Sequence, residues 1–251
     1  MLKVIAERLR QGMRTVDFPK GTPWLPPRLR GLPRLEKGLC AAGCSACVAA
    51  CPFGAVRLEN GGPVLDLGKC IFCAECERAC PHGAISFSNG HALSSRTREG
   101  LVLRPGEAPK VEALGSEMRR LFGRALKLRQ VSAGGCNACE ADLNVLTTVV
   151  FDLGRFGIEF VASPRHADGI VVTGPVSENM RVGLMKTWQA VPGPKLCIAV
   201  GACAIAGGPF AGSPEVHNGC DSLIPVDLYI PGCPPHPITT LDALLSLLGR
   251  M

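Results

Sequence analysis

The run from residue 70 to residue 81 reads CIFCAECERACP and spaces four cysteines as C-x2-C-x2-C-x3-C before a proline. This spacing lets one short loop offer thiolates to separate iron atoms of a 4Fe-4S cube. Most of the run also occurs 29 residues earlier, and the matched positions are Cys44, Cys47, Cys51 and Pro52, then Cys73, Cys76, Cys80 and Pro81. The constant offset indicates a repeat of one small structural unit.

Zinc is the alternative metal for this region, because paired C-x2-C units also form tetrahedral thiolate sites with four ligands. Two pairs satisfy zinc, whereas each run here adds a third cysteine at the same spacing and a fourth followed by proline. The doubled run therefore favours iron–sulfur clusters. A disulfide framework is disfavoured, because residues 1–12 alternate charged and apolar residues and do not resemble a secretory signal.

The composition predicts a globular chain. Its 251 residues are 47% hydrophobic, which suits one large or two modest domains. No apolar run approaches the roughly 18 residues that a membrane span needs. We therefore expect a cytoplasmic protein that reaches a membrane only through its partners.

The net charge of +6 belongs to residues 1–39, which carry nine Lys or Arg against three acidic residues. The remaining residues are balanced, with 18 basic and 18 acidic side chains. A cube with four thiolates adds about −2, so three cubes would bring the loaded protein near neutrality. We therefore expect no nucleic-acid partner, and the basic arm is either solvated or a docking segment.

The sequence pattern divides the chain into four parts. Residues 1–39 form a basic, Pro-rich arm with a short amphipathic helix at its start, and its prolines exclude regular structure from the rest. Residues 40–92 form the cysteine-rich module, with strands expected at 55–58, 64–67 and 84–88 and a turn at 60–63. Residues 93–124 form a linker and an amphipathic helix, whose helical spacing begins at residue 111 and continues to residue 129. Residues 125–251 form the last part.

From residue 126 the pattern becomes strand, loop and helix in turn. Buried strands are expected at residues 126–131, 158–161, 169–173, 196–200 and 226–230, and helices at 141–153, 179–190 and 238–248. This alternation predicts a mostly parallel sheet covered on both faces. In such sheets the site lies beyond the carboxyl ends of the strands.

Four further cysteines follow these predicted strands. Cys136 and Cys139 come after the first, Cys203 after the fourth and Cys233 after the fifth. Because parallel strands end at one edge of a sheet, the four thiols should converge there although they are distant in sequence. The pattern therefore predicts a third metal site.

The doubled run resembles the two-cluster bacterial ferredoxins, in which the fourth cysteine of each run binds the cluster of the other run. The resemblance implies one cluster on Cys40, Cys44, Cys47 and Cys80. It implies a second on Cys70, Cys73, Cys76 and Cys51. One departure is that Cys40 lies four residues before Cys44 instead of three, and Gly43 can absorb the added bend by adopting a positive φ.

A second resemblance covers about residues 123–245. It rests on the segments GCNACE (135–140), SPRHAD (163–168), TGPV (173–176), GACA (201–204) and VDLYIPGCPP (226–235). These resemble the small subunit of membrane-bound nickel–iron hydrogenases, including formate hydrogenlyase, and its counterpart in respiratory complex I, the B-type subunit. The spacing of Cys136 and Cys139 is the hydrogenase form, because the complex I counterparts carry adjacent cysteines. The resemblance implies a 4Fe-4S cluster on Cys136, Cys139, Cys203 and Cys233.

The front half resembles the ferredoxin subunit of the same assemblies, the counterpart of the I-type subunit of complex I. The expected fold is therefore α/β, with a dicluster ferredoxin module followed by a flavodoxin-like, mostly parallel, doubly wound sheet domain. Two subunits that are usually separate would then be fused in one chain.

The two resemblances imply a non-catalytic electron-transfer subunit with three 4Fe-4S clusters, in a membrane-associated, energy-converting nickel–iron hydrogenase of the formate hydrogenlyase type. The implied partners are a hydrogenase-type large subunit, other subunits of a complex I-like assembly, and a soluble redox donor or a formate dehydrogenase. The implied location is the inner face of the cell membrane, through those subunits. Two alternatives stay open: the same role beside a large subunit without nickel, and a zinc-stabilised assembly module without redox activity.

Five other residues lie outside these ligand sets or next to them. By family resemblance Glu140 can relay protons, but a carboxylate there also favours a helix N-terminus. Arg165 and His166 either contact the cluster or the large subunit, or are structural. Cys197 lies mid-strand and is expected in the core, whereas Cys220 is expected as a free thiol in a loop.

Overall fold

The computed structural model describes residues 2–60 and 62–251. Met1, the first residue of the predicted arm, and Gly61, in the predicted turn, lie outside the described residues. The helices of the described part are α1 (Leu2–Gln11), α2 (Ala46–Ala49), α3 (Glu75–Ala79), α4 (Ser116–Phe122), α5 (Ala138–Val145), α6 (Glu178–Ala190), α7 (Ala202–Ala206) and α8 (Pro237–Leu247). The strands are β1 (Pro33–Leu35), β2 (Val56–Glu59), β3 (Gly62–Asp66), β4 (Ile85–Phe87), β5 (Val102–Leu103), β6 (Leu126–Ser132), β7 (Ile158–Phe160), β8 (Gly169–Thr173), β9 (Leu196–Val200) and β10 (Leu228–Ile230).

The C-terminal part is built on a five-stranded sheet in the order β10-β9-β8-β6-β7. Every pairing in it is parallel. The chain first moves outward from β6 to β7 and then returns to the other side of β6, which is the flavodoxin-like order with a switch point between β6 and β8. All residues of β8 and β9 are buried, as expected for apolar strands covered on both faces. The predicted fold class is confirmed.

Two predicted helices are shorter in the structure. The helical spacing from residue 111 gives only the seven-residue α4, which lies between Gly115 and Gly123. The helix expected at residues 141–153 is α5, which ends at Val145. Beyond it, the hydroxyls of Thr147 and Thr148 donate to carbonyls three residues back, and such local bonds compete with helix continuation.

The cysteine-rich module contains a three-stranded antiparallel sheet, β2-β3-β5, and a two-stranded sheet, β1-β4. The prediction that prolines exclude regular structure from the arm is wrong for Pro33–Leu35, which pairs antiparallel with Ile85–Phe87 as β1. Pro33 is the first residue of this strand, where its missing N–H removes no interior ladder bond. The end of the arm is therefore part of the module's structure.

The module and the parallel sheet share one hydrophobic core. Leu65, Leu67 and Leu101 from the module side belong to the same buried cluster as Ile205 and Tyr229 from the sheet side. The other face of the sheet has its own core, to which α5 and α8 contribute. One face of the sheet is thus covered by α6, α7 and the module, and the other by α5 and α8.

The linker hydrogen-bonds to the parallel sheet and to the three-stranded sheet of the module. Ser95 exchanges two backbone hydrogen bonds, of 3.1 and 2.8 Å, with Tyr229 on the edge strand β10. A few residues later, β5 pairs with β3 of the module. Residues 95–103 therefore hold the module against the parallel sheet.

Among the described residues, no helix is long and apolar enough to cross a membrane.

Candidate metal centres

The twelve predicted ligands fall into three sets, named here in chain order. The first thiol group is Cys40, Cys44, Cys47 and Cys80; the second is Cys51, Cys70, Cys73 and Cys76; the third is Cys136, Cys139, Cys203 and Cys233. All of these thiols are free. Within residues 2–60 and 62–251, no three His, Cys, Asp or Glu side chains are close enough to share a single metal ion. A 4Fe-4S cube makes a different demand, since each thiolate binds its own iron atom.

The second thiol group lines one cavity of the module, together with apolar side chains that include Val56, Leu65 and Phe87. Three of its members come from the loop after β3 and from α3, and Cys51 comes from the other run, after α2. Phe72 and Ala74 turn this loop by adopting left-handed φ angles of 58° and 62°. Four thiols around an apolar cavity are a donor set that fits a 4Fe-4S cluster.

The thiols of the second group affect one another electrostatically. Burial raises the pKa of Cys70 to about 12, and nearby Cys76, Cys51 and Cys73 add to the effect. Burial also raises the pKa of Cys76 to about 11, and Cys51 is the next cause. Cys51 therefore lies near Cys70 and Cys76, although it belongs to the other run.

The first thiol group likewise includes a cysteine from the other run. Burial raises the pKa of Cys47, and the next cause is Cys80 from the second run, with a smaller effect of Cys40. Gly43, in the wider loop before Cys44, adopts a φ of +78°, as the extra residue required. α2, which carries Cys47, packs against α3 of the second run.

Backbone amides donate to the sulfurs at equivalent places in the two runs. Ala55 N lies 3.2 Å from Cys51 Sγ, and Ala84 N lies 3.2 Å from Cys80 Sγ. Burial alone would raise the pKa of Cys80. The backbone amides around His82 and Ala84 have the larger combined effect, so the pKa of Cys80 is lowered. Such N–H···S bonds favour the charged ligand and tune the reduction potential of a bound cluster.

The third thiol group converges at the carboxyl edge of the parallel sheet. Burial raises the pKa of Cys139, and the thiols of Cys203, Cys233 and Cys136 add to the effect together with Glu140. Burial also raises the pKa of Cys203 to about 11, with Cys233 and Cys136 as the next causes. Cysteines from three loops that are distant in sequence thus lie near one another at this edge. Cys136 and Cys233 are exposed, and Cys203 is buried.

Two glycines leave room for these sulfurs. A Cβ added to Gly201 would lie 2.6 Å from Cys139 Sγ, and one added to Gly208 would lie 2.7 Å from Cys203 Sγ. Both residues have positive φ, 90° and 53°, which glycine adopts at little cost. No side chain fits at either position without displacing a thiol.

Glu140 is a buried carboxylate next to the third group. Its Oε1 accepts hydrogen bonds of 2.6 Å from Ser132 Oγ and from Thr173 Oγ1. Burial alone would raise the pKa of Glu140, but the two hydroxyls outweigh it and lower the pKa. The side chain is therefore held as an anion in the first turn of α5, and a proton-relay role stays a prediction.

Arg165 and His166 lie in a short turn in the connection between β7 and β8, and both are exposed. The two cysteines outside the groups lie elsewhere. Cys197 is fully buried in β9, as predicted. Cys220 is also fully buried and lies near Cys197. The expectation of a loop thiol did not foresee this burial.

The second group lies beside the third. Ile71 and Phe72, between two ligands of the second group, line one cavity with Cys233. Arg30 of the arm closes this junction by donating 3.2 and 3.1 Å hydrogen bonds to the carbonyls of Phe72 and Cys73. Gly68 packs against α7, because a Cβ there would lie 2.8 Å from Ile205 Cγ2. Sequence reasoning did not find these junction residues.

Known proteins resemble both parts of the chain. One family model, a 4Fe-4S dicluster domain, matches residues 39–85, and a second, the NADH ubiquinone oxidoreductase 20 Kd subunit, matches residues 136–247. The probable membrane-bound hydrogenase subunit mbhJ of Pyrococcus furiosus is 35% identical over 145 residues, which are 58% of this chain and 87% of that protein. The chain belongs to the 20 Kd subunit family.

Other members of the 20 Kd subunit family come from two kinds of complex. Formate hydrogenlyase subunit 7 of Escherichia coli is 38% identical over 159 residues, 63% of this chain and 62% of that protein. A B-type subunit of NADH-quinone oxidoreductase from a Roseiflexus species is 41% identical over 144 residues, 56% of this chain and 53% of that protein. The chain thus spans less than two thirds of these two relatives.

The predicted relationship to both a dicluster ferredoxin and a hydrogenase or complex I small subunit is confirmed by these matches. The dicluster match supports 4Fe-4S clusters as the cofactors. The ligand assignment and the domain boundaries stay predictions.

Proposed function

We propose that this chain is the iron–sulfur electron-transfer subunit of a membrane-associated, energy-converting nickel–iron hydrogenase complex of the formate hydrogenlyase kind. Three 4Fe-4S clusters, one on each thiol group, would supply one-electron redox chemistry. The chain would pass electrons between a redox donor and the active site of a separate large subunit. It holds no nickel in this proposal and is inactive alone.

The observation that carries the proposal is the order of the three thiol groups. The first and second groups exchange one cysteine each, so their sites are adjacent. Ile71 and Phe72, which lie between Cys70 and Cys73 of the second group, line one cavity with Cys233 of the third group. The module also rests on α7, which carries Cys203. The groups therefore form a series, with the second in the middle, as an electron path requires.

The third group is suited to meet the large subunit. Cys136 and Cys233 are exposed at the carboxyl edge of the sheet. A 4Fe-4S cluster there would lie at the surface until a partner covers it. We therefore assign this edge to the large subunit, and the first group to the side that receives or delivers electrons through a soluble donor or a formate dehydrogenase.

The residues of the chain have three tasks in this function. The thiolates bind the clusters, and backbone amides such as those of Ala55 and Ala84 stabilise the charge on sulfur. The shared core and the linker fix the distance between the module and the sheet. Attachment to the inner face of the membrane comes through the other subunits of the complex.

The test is reduction of the clusters by hydrogen in the purified complex. In the wild type, hydrogen should reduce all three clusters. In Cys233→Ser, which removes a ligand of the third group, hydrogen should no longer reduce the first two clusters, whereas dithionite still should. Cys197→Ala, at a buried cysteine outside the groups, is the matched control. Reduction of the first two clusters by hydrogen at the wild-type rate, in a Cys233→Ser complex that lacks the third cluster, would refute the path.

A second candidate function is the same electron-transfer role in a complex I-like oxidoreductase whose large subunit lacks nickel. It is favoured by the 41% identity to the B-type subunit of an NADH-quinone oxidoreductase. The spacing of Cys136 and Cys139 favours the hydrogenase. Nickel analysis of the complex separates the two, since only the hydrogenase holds nickel. A zinc-stabilised module without redox activity would show no absorbance near about 400 nm that bleaches with dithionite.

A further inference from the structure

Helix α1 is amphipathic, and none of its described residues is buried. Leu2, Ile5 and Leu9 recur at the spacing of one helix face, and Leu2 and Leu9 are 83% and 79% exposed. Exposing three large aliphatic side chains on one stripe costs free energy that burial would recover. The structure therefore leaves this face without a partner within the described part of the chain.

The charges of α1 are arranged around the apolar stripe. At about 100° per residue, Lys3 and Arg10 flank the stripe on one side and Arg8 flanks it on the other. Glu7, the only acidic residue of the helix, lies on the opposite, polar side. Its carboxylate accepts hydrogen bonds of 3.0 and 2.7 Å from Arg10, and both side chains are exposed. Basic flanks beside an apolar stripe are typical of helices that lie in a membrane interface.

The segment after α1 adds further exposed apolar side chains. Thr15 Oγ1 donates to the carbonyl of Val149 over 2.8 Å, and Val16 N donates to that of Val150 over 2.9 Å. These bonds bring the chain near Met13 beside the turn after α5. Met13 and Val149 are 79% and 67% exposed. We call Leu2, Ile5, Leu9, Met13 and Val149 the N-terminal apolar surface.

We propose that the N-terminal apolar surface binds anionic phospholipid directly, with α1 lying in the plane of the membrane interface. The apolar side chains enter the boundary between headgroups and acyl chains, and the basic flanks contact lipid phosphates. The charge of residues 1–39, nine basic against three acidic, complements an anionic leaflet. This inference is independent of the clusters and adds a lipid contact to the attachment made by partner subunits.

The test is co-sedimentation of the full-length chain, with clusters reconstituted anaerobically, with two kinds of vesicle. One is phosphatidylcholine alone, and the other contains about a quarter of phosphatidylglycerol. The wild type should bind the anionic vesicles more tightly, and each basic residue at the interface should contribute roughly fivefold. Replacing Lys3 and Arg8 by Gln should remove most of the preference.

A matched pair of substitutions tests the apolar stripe. Leu9→Glu should weaken binding to anionic vesicles by about tenfold or more. It removes a leucine that the lipid would bury, and it adds a negative charge that the anionic lipid repels. Val4→Glu adds the same charge on the same helix, at a residue that is 72% exposed and lies outside the stripe. This substitution should weaken binding to anionic vesicles only through its added charge, by roughly fivefold or less.

Three results would overturn the proposal: no binding of the wild type to anionic vesicles, equal effects of Leu9→Glu and Val4→Glu, or equal binding to neutral and anionic vesicles. If the wild type binds no vesicles but Leu9→Glu lowers its affinity for the purified membrane subunits, the surface is a protein interface. Iron content measured on every variant shows that the chain is folded.

Discussion

Arg98 donates one hydrogen bond of 2.7 Å to each carboxylate oxygen of Asp66, and so joins the linker to the end of β3. Asp66 Oδ1 also accepts a 2.9 Å bond from Gly68 N, two residues before Cys70. The Arg98 guanidinium packs so closely on Gly68 that an added Cβ would lie 2.7 Å from its Cζ. The ion pair therefore holds the loop that starts the second thiol group against α7.

Arg98→Gln should destabilise the chain, because it leaves the carboxylate of Asp66 without its ion-pair partner at a site where the Asp66 side chain is only 10% exposed. Breaking such a pair costs about 3 kcal/mol. In a chain of this length the apparent unfolding temperature, measured by calorimetry at one scan rate, should fall by roughly 6–12 °C.

The matched control is Arg104→Gln, which breaks the ion pair of Arg104 with Glu59 where 49% and 33% of the two side chains are exposed. Exposed pairs contribute about 0–1 kcal/mol, so its unfolding temperature should change little. Similar losses in both variants would show that the Arg98–Asp66 pair has no special role.

Gly201→Ala should remove the cluster of the third thiol group. The added Cβ would lie 2.6 Å from Cys139 Sγ, so the thiol must move from its position. Iron per chain should fall by about four atoms, while the two clusters of the module stay.

Gly106→Ala is the control for backbone strain. Gly106 has a similar φ, 83° against 90°, but a Cβ there meets no atom within 4 Å. Iron content should stay at the wild-type value. Loss of iron in both variants would mean that positive φ, and not the thiol contact, decides the outcome.

The backbone amides in the first turn of α8 should lose protection from hydrogen exchange as the pH falls. His236 is the N-cap, and its Nδ1 accepts a 3.2 Å bond from Ile238 N, which protonation would abolish. Burial and the nearby His91 lower the pKa of His236. Between this lowered pKa and about 6.5 the opened form binds more protons than the folded form, so stability rises with pH and is lost below about 6.5.

Hydrogen exchange measured by mass spectrometry, on the peptide that begins α8, checks this between about pH 7.5 and about pH 5.5. Protection corrected for intrinsic exchange should fall in the wild type. His236→Asn keeps a capping side chain that does not titrate, so its protection should stay constant. The same pH dependence in both proteins would assign the effect to another group.

The two cysteines outside the thiol groups should be dispensable for the clusters. Cys197 and Cys220 are fully buried and contact each other, so neither should react with an alkylating reagent in the folded protein. Cys220→Ala should keep the wild-type iron content, whereas Cys139→Ala should lose about four iron atoms. Iron loss in Cys220→Ala, with its unfolding temperature unchanged, would contradict the assignment.

Short-range patterns predicted much of this molecule. Cysteine spacing identified the runs and their repeat, and apolar strands in alternation with helices predicted the parallel sheet whose edge gathers Cys136, Cys203 and Cys233. Both signals are local in sequence, or follow from the rule that parallel strands end together. This is why the third group was predictable although its members are distant in sequence.

Features that depend on contacts between distant segments were not predictable. Nothing near Pro33 indicates that it begins a strand, because its partner Ile85–Phe87 is supplied by the second run. Asp66 and Arg98 are 32 residues apart and lie in no motif. Cys220 sits in a loop sequence, and its burial results from packing on Cys197 in β9.

The most direct measurement is the iron and acid-labile sulfide content of the anaerobically purified chain, combined with metal analysis and with low-temperature electron paramagnetic resonance after reduction by dithionite. We predict about twelve iron and about twelve sulfide per chain, no stoichiometric zinc, and signals of three magnetically interacting 4Fe-4S clusters. Four or fewer iron atoms per chain with stoichiometric zinc, and no such signals, would contradict it.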